Sequence, residues 1–346
     1  MSDIIPRDLE SVYGNIKKIL DDARSEAMRT VNFAMVRAYW EIGRIIVEEE
    51  QNGKERAEYG RALIEELSKR LTADYGRGFT TTNLWYMRQF YLTFTNLHAL
   101  RGELTWTHYR LLLKVEEEKA RSFYMLEAIS NNWSTRELER QISSLLYERI
   151  ALSREKEEVK ELSTRGQIIQ KPDDIIKDPY VLEFLGIEEG KRYLEKDMEK
   201  ALISRLQDFL LELGKGFSFV TRQKRITIDG DHFYIDLVFY NYMLKCFVLI
   251  DLKVGKLSHQ DIGQMDFYVR YFEKEIKPEG DNPTIGLILC ADKNDMMAKY
   301  TLLEGSKQIF ASRYKLYLPS EEELRAELER ERKMLEMENK LNERDG

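Results

Sequence analysis

The chain has 346 residues, with 54 Lys and Arg against 61 Asp and Glu and a formal charge of -7. That length exceeds the usual size of one core, so two domains are expected, and the acidity excludes a uniformly basic nucleic-acid binder. No run approaches the roughly 20 apolar residues that span a bilayer, and the two cysteines and four histidines cannot build a zinc knuckle or a HExxH site.

Cys246 and Cys290 sit in apolar, strand-like runs that suit buried, reduced thiols. The opening MSDIIPRDLE has no basic region followed by an apolar run. A cytoplasmic protein without membrane contact is therefore expected.

In chain order, residues 1–160 read as a helical domain. Pro6 is the only proline before Pro172, and Val31, Met35, Tyr39, Ile42 and Ile46 recur at helical spacing. Tyr59 to Leu71 repeats that pattern. GRGFTTTNLWYMRQFYLTF predicts a turn at Gly76 and Gly78, then a helix capped by a Thr between Thr80 and Thr82. Met87, Phe90 and Tyr91 are expected to pack inward, and Trp85 either packs with them or is exposed. From Gly76 to Lys114 the charge balance reverses, because Arg77, Arg88, Arg101, Arg110 and Lys114 face one acid, Glu103. A local basic surface is thus available on an acidic protein. Ser134 and Glu137 have capping-box spacing and start a further, increasingly charged helix. Residues 161–180 are expected to connect the domains.

The texture then changes. Tyr193 to Leu213 predicts one amphipathic helix, ended by Gly214 and Gly216. FSFVTRQKRITI, HFYIDLVFY and KCFVLIDLK predict strands, the first two joined at Asp229-Gly230 as a hairpin. A helix over Ser258–Phe272, a buried strand at TIGLILCAD, a helix around Asp295 to Leu303 and a strand over Tyr314–Leu318 complete an α/β domain over 181–319. Residues 320–346, opening on a Ser320/Glu323 capping box, predict a charged helical tail.

The chemistry concentrates on two strands. Asp236 interrupts the apolar run of HFYIDLVFY, and VLIDLK places Asp251 and Lys253 two apart. Side chains alternate along a strand, so Asp251 and Lys253 project together and Leu252 points the other way. Two carboxylates on adjacent strands can share one hard cation, and the Leu252 carbonyl can add an oxygen. Charged residues at strand ends are common, but these interrupt strands that otherwise read as buried, where an unpaired carboxylate is costly.

Several long stretches in one order resemble the YhcG-type family, whose carboxyl-terminal domain belongs to the PD-(D/E)xK nuclease superfamily. They are DPYVLEFLG, FLLELGKGFSFVTRQ, IDLVFYNYMLKCFVLIDLK, IGQMDFYV and TIGLILC. AYWEIGRII, GRGFTTTNLWYMRQFY, LTWTHYRLLL and WSTRELERQI resemble the family's helical partner domain. The resemblance implies a multi-domain chain: an all-α amino-terminal domain, then an α/β, restriction-endonuclease-like domain. It implies metal ligation by Asp236 and Asp251, with Lys253 as the catalytic lysine and Mg²⁺, or Mn²⁺ in its place, as the ion. This chain reads Asp-Leu-Lys where Glu-Leu-Lys is the commoner family form. A further acid is expected from the first helix of the domain, Glu199 or, one turn earlier, Glu195. Gln264 is expected in the site; Tyr268 follows one turn on and either joins it or packs. Gln223 either faces the site or bonds its neighbour.

In the helical half, the helix-turn-helix-like segment offers Arg77, Thr81, Asn83, Tyr86 and Arg88 to DNA. The same helices suit a dimer interface or a partner protein. The function implied is a metal-dependent DNA endonuclease, acting in defence against foreign DNA or in recombination and repair. It would work as a homodimer, with restriction or repair proteins as further partners. The alternative is a catalytically silent nucleic-acid-binding or assembly module that keeps the fold.

Overall fold

The structure is a computed structural model, and it describes residues 9–52, 57–97, 100–152, 156–187, 193–228, 230–292, 308–318, 320 and 322. The helix expected around Asp295 to Leu303, the tail beyond Glu322 and Asp229 of the expected hairpin turn lie outside the described residues. Among the described residues, no helix is long and apolar enough to cross a membrane. The chain forms two compact units, Met1–Glu139 and Arg140–Gly346.

The first unit is helical. It comprises α1 (Leu9–Asn52), α2 (Ala57–Tyr75), α3 (Thr81–Thr93), α4 (Trp106–Leu112), α5 (Glu118–Ser130) and the start of α6 (Thr135–Ser143). Thr80 caps α3, its side chain accepting from the Asn83 N–H at 3.3 Å. Ser134 and Glu137 close the expected capping box at 2.6 and 3.3 Å. The core gathers Ile46, Ile64, Leu84 and Met87, with Trp106 packed on it. Phe90 stacks on Trp106 and Tyr109 at centroid distances of 5.3 and 4.9 Å. α1 and α3 meet at Gly43, where an added Cβ would stand 2.0 Å from the Met87 carbonyl oxygen. Only a residue without a side chain allows that approach. The apolar stripe predicted along α1 is only partly interior: Ile46 is buried and Tyr39 and Ile42 are half-buried, whereas Met35 is 40% and Val31 62% exposed.

The second unit contains α7 (Leu146–Leu152), α8 (Lys156–Arg165), α9 (Glu195–Ser204), α10 (Leu206–Leu213) and α11 (His259–Tyr271). Its strands are β1 (Tyr180–Val181), β2 (Phe217–Ile228), β3 (Asp231–Asn241), β4 (Cys246–Lys256), β5 (Ile285–Asp292) and β6 (Ile309–Lys315). They form one mixed sheet in the order β1-β6-β5-β4-β3-β2. β2, β3 and β4 are antiparallel neighbours; β5, β6 and β1 continue in parallel pairings. Leu202, Phe209 and Leu213 pack on one face, against Leu237, Phe239, Ile250 and Leu252. Ile262, Met265 and Val269 of α11 pack on the other, against Leu249, Ile288 and Cys290. Covering both faces explains why β4 and β5 read as nearly continuous apolar runs. The single helix predicted over Tyr193–Leu213 is instead two. The Arg205 N–H is shared between the Ala201 and Leu202 carbonyls, which tightens the turn, and Arg205 leaves helical geometry at φ -119°, ψ 34°. The apolar spacing runs unbroken through this point, so the sequence pattern does not register it.

A buried ion cluster joins α6, α7, α10 and β1. Glu212 accepts from Arg149 at 2.6 Å, Arg140 at 3.2 Å and the Val181 N–H at 2.9 Å. Lys177 donates to the Glu212 main-chain carbonyl. Burial alone would raise the Glu212 pKa, but Arg149, Lys177 and Arg140 outweigh it and hold the carboxyl at about 2.

Two stability predictions follow from these contacts. The native Glu212 pKa is depressed below the unfolded value of ~4.3. Its contribution is therefore present above that pH and is lost as pH falls towards about 2. Glu212→Gln leaves buried cations uncompensated and should cost about 3–5 kcal/mol at neutral pH. Urea unfolding of the sheet, followed by circular dichroism from pH 7 down to pH 3, checks both. Wild type should lose stability through that window and the variant should lose less. Gly43→Ala gains up to ~1 kcal/mol of helix propensity but must displace the Met87 carbonyl, so a net loss of about 1–3 kcal/mol is expected. All four tryptophans lie in the first unit, so their fluorescence reports it separately.

Candidate active site

The β3–β4 ladder ends at the pair Leu237↔Ile250. The next residues along the two strands are Asp236 and Asp251. Here the Leu252 N–H donates to Asp236 Oδ2 at 2.8 Å. A carboxylate thus serves as an acceptor where the ladder stops.

Alternation places the neighbours as the sequence requires. Leu252 enters the cluster beneath α9 and α10. Asp251 and Lys253 share the other face, with Lys253 Nζ 2.8 Å from Asp251 Oδ2. Asp251 is only 2% exposed. Its Oδ2 has the ammonium nearby but no hydrogen bond of acceptable angle. Burial, and then repulsion from Asp236, push the Asp251 carboxyl up to about 7 against the pull of Lys253. Burial opposes the Lys253 charge, but Asp251, Glu195 and Asp261 outweigh it and hold the ammonium above its ordinary pKa. Asp261 Oδ1 lies 3.8 Å from Lys253 Nζ, and Asp261 is itself fixed by its capping bonds with Ser258 at the start of α11.

Glu199 reaches the site from α9 and is buried. Gln223 joins it to Asp236: the Gln223 amide donates to Glu199 Oε2 and to Asp236 Oδ1, each at 2.9 Å. Burial, then Asp236, raises the Glu199 pKa. Glu195 lies on the Lys253 side of the site and accepts from the Val254 N–H at 3.4 Å. The two acids weighed on this helix therefore flank different parts of one site. The Gln264 amide donates to the Tyr268 hydroxyl, which donates to the Tyr234 carbonyl at 2.8 Å. Burial raises the Tyr268 pKa, with Asp251 and Asp236 adding to it. Gln264 is thus turned to the tyrosine and not onto an acid.

Gln223 is the residue that sequence reasoning undervalued. It lies opposite Asp236, between the pairs Arg222↔Leu237 and Lys224↔Ile235. Its φ is 47°, in the left-handed region that costs a non-glycine residue roughly 1–2 kcal/mol. The signal was its place across from Asp236 in the hairpin register. The strain is invisible in sequence.

Two like-charged carboxylates face each other here, and one buried oxygen lacks a hydrogen bond. A divalent cation relieves both features, so Asp236 and Asp251 fit one by donor chemistry. Among the described residues, no three His, Cys, Asp or Glu side chains are already arranged to hold a metal ion. The Gln223 amide sits between Glu199 and Asp236 as their shared donor.

In the helical unit, three of the five residues considered for DNA contact are engaged internally. Asn83 donates to the Gly78 carbonyl at 2.5 Å and accepts from Trp106 Nε1 at 3.2 Å. Arg110 lies 4.5 Å from the Tyr86 ring centroid. Arg88 bonds Glu50 at 2.7 Å. Arg77 is exposed in the turn between α2 and α3, and Thr81 opens α3 half-buried. Met87 and Phe90 are buried as expected, Tyr91 is half-buried against Trp40, and Trp85 is exposed.

Residues 173–329 match the family model described as the YhcG PDDEXK nuclease domain, and residues 15–149 match the DUF1016 N-terminal domain. The chain is 41% identical over 359 aligned positions to the Escherichia coli (strain K12) protein described as "Putative nuclease YhcG", covering 94% of this chain and 95% of that one. Among solved structures, it is similar to a repair endonuclease from Pyrococcus abyssi at 19% identity and TM-score 0.27, over 38% of this chain and 50% of that chain. A complex of EndoMS with double-stranded DNA is similar at 14% identity and TM-score 0.26, over 39% and 50%. The chain thus spans about half the length of either structure. Identity at this level across nearly the whole of both chains, with both halves matched in order, means that the chain belongs to the YhcG family of nucleases with a PDDEXK domain.

Proposed function

We propose that the chain is a divalent-metal-dependent endonuclease that hydrolyses phosphodiester bonds of DNA, with Mg²⁺ as its ion. The observation that carries this reading is the facing pair Asp236 and Asp251 at the end of the β3–β4 ladder, with Lys253 at 2.8 Å from Asp251. Asp236 and Asp251 would hold the ion, with Glu199 as a further oxygen donor. When bound, the ion supplies charge that polarises the scissile phosphate and acidifies water.

The chain's own residues do the rest. Asp251, Glu195 and Asp261 favour the charged form of Lys253, so it acts as a fixed cation facing the charge that develops on the phosphate oxygens. Glu195 and Asp261 maintain that charge. Gln223 fixes Glu199 relative to Asp236 and so positions the acids without touching substrate. Water attacks phosphorus in line and gives up a proton to solvent as the new phosphorus–oxygen bond forms; the bond from phosphorus to the 3′-oxygen breaks, and that oxygen takes up a proton from solvent. Arg77, exposed beside the amino-terminal end of α3, and Thr81 supply phosphate contacts from the helical unit.

Incubation of the purified chain with supercoiled and linear DNA should give cleavage with Mg²⁺ or Mn²⁺ and none with a chelator. Asp251→Ala and Lys253→Ala should each lower the rate by at least about 10²-fold. Unchanged cleavage in either variant overturns the site, whereas salt-sensitive binding without cleavage by wild type identifies a silent binding module. Gln223→Ala should weaken Mn²⁺ binding by about 10–100-fold in calorimetric titration while leaving the unfolding midpoint nearly unchanged. An unaltered affinity would show that Gln223 merely bonds its neighbours.

A further inference from the structure

The first half of α1 lies open. Residues 10–31 are exposed along their whole length. Over that stretch Val12, Tyr13, Ile16, Ile19, Leu20, Met28 and Val31 are between 48 and 70% exposed. Val12, Ile16, Leu20, Ala23, Ala27 and Val31 follow one another at spacings of three and four, which puts them on one face of the helix. A segment of roughly 33 Å with an open apolar face is marginal as a lone helix in water, since helices of this kind are held chiefly by packing.

Charge selects the occupant. Lys17, Lys18, Arg24 and Arg29 balance Glu10, Asp21, Asp22 and Glu26, so residues 10–31 carry no net charge. A nucleic acid or an anionic membrane surface would call for an excess of Lys and Arg. A neutral stripe flanked by both signs neither repels a copy of itself nor favours a partner of one charge. The area is of the same order. Tyr13 and Ile19 border this face and Met28 lies off it, so at roughly 100 Å² of exposed surface for each large side chain the six offer roughly 600 Å² per copy, against the ~800 Å² per partner of a standard stable interface.

We propose that residues 10–31 of α1 pair with the same residues of a second copy of this chain, in a symmetric two-helix contact. The contact brings two chains, and so two candidate sites, into one assembly. It does not depend on those sites being nucleolytic.

Sedimentation velocity on the full chain tests this directly. Wild type should sediment as a dimer, and the double variant Ile16→Glu/Leu20→Glu as a monomer of half the mass. The altered side chains are exposed, so the tryptophan fluorescence of the first unit's core should persist even where helicity over residues 10–31 falls. Ile19→Lys/Val31→Glu repeats the test on the same face, in case the first variant folds poorly. A wild-type monomer overturns the proposal, and so does a folded variant that remains dimeric.

Discussion

The second unit depends on one buried carboxylate. Glu212 ties α10 to α7 through Arg149, to α6 through Arg140 and to β1 through the Val181 N–H. With Glu212 and Arg149 both fully buried, none of these groups can turn to water if a partner is lost. The cluster sets where α10 lies on the sheet, and α9 continues directly from α10 through Arg205. The helix that carries Glu199 thus joins at Arg205 the helix that the ion pairs hold. Met198 and Leu202 then lock α9 onto the apolar face, leaving Glu199 to turn towards Gln223.

The site itself arises from an interruption. A continuous β3–β4 ladder would satisfy Leu252 with a carbonyl and would leave two opposed aspartates with no reason to be there. Because Asp236 takes the Leu252 N–H, the strands can part without orphaning a buried donor. The carboxylates then face each other at the end of a paired, rigid scaffold. Strain at Gln223 belongs to the same arrangement, since a left-handed backbone at that residue accompanies an amide that bonds two acids at once.

Sequence period carried much of this. The alternation in VLIDLK put Asp251 with Lys253 and Leu252 behind them, and the structure keeps that division. Ser134, and a Thr between Thr80 and Thr82, marked helix starts through capping chemistry that is local and therefore legible. The break at Arg205 was not legible, because the burial spacing is the same on both sides of it. Nor was the role of Gln223, which depends on cross-strand register and on an unusual φ. The half-open stripe of α1 shows the limit from the other side: apolar spacing predicts a face that wants cover, but not which half of a 44-residue helix finds it within the chain.

Comparing Glu212 with Asp251 separates scaffold from site. Both carboxylates are buried in the same unit, and burial pushes both upward. Glu212 is surrounded by Arg149, Lys177 and Arg140, which reverse that push and hold it at about 2. Asp251 has one cation, Lys253, against Asp236, and is left at about 7. The protein thus has the means to neutralise a buried acid and applies them at Glu212, while at Asp251 it leaves negative charge in excess. Asp236, Asp251 and Glu199 together with Lys253 sum to two negative charges when ionised, the balance that one divalent cation completes. Structural carboxylates are satisfied from within the fold. A buried carboxylate with fewer compensating cations than Glu212 is a candidate functional group, and Asp251 meets that description.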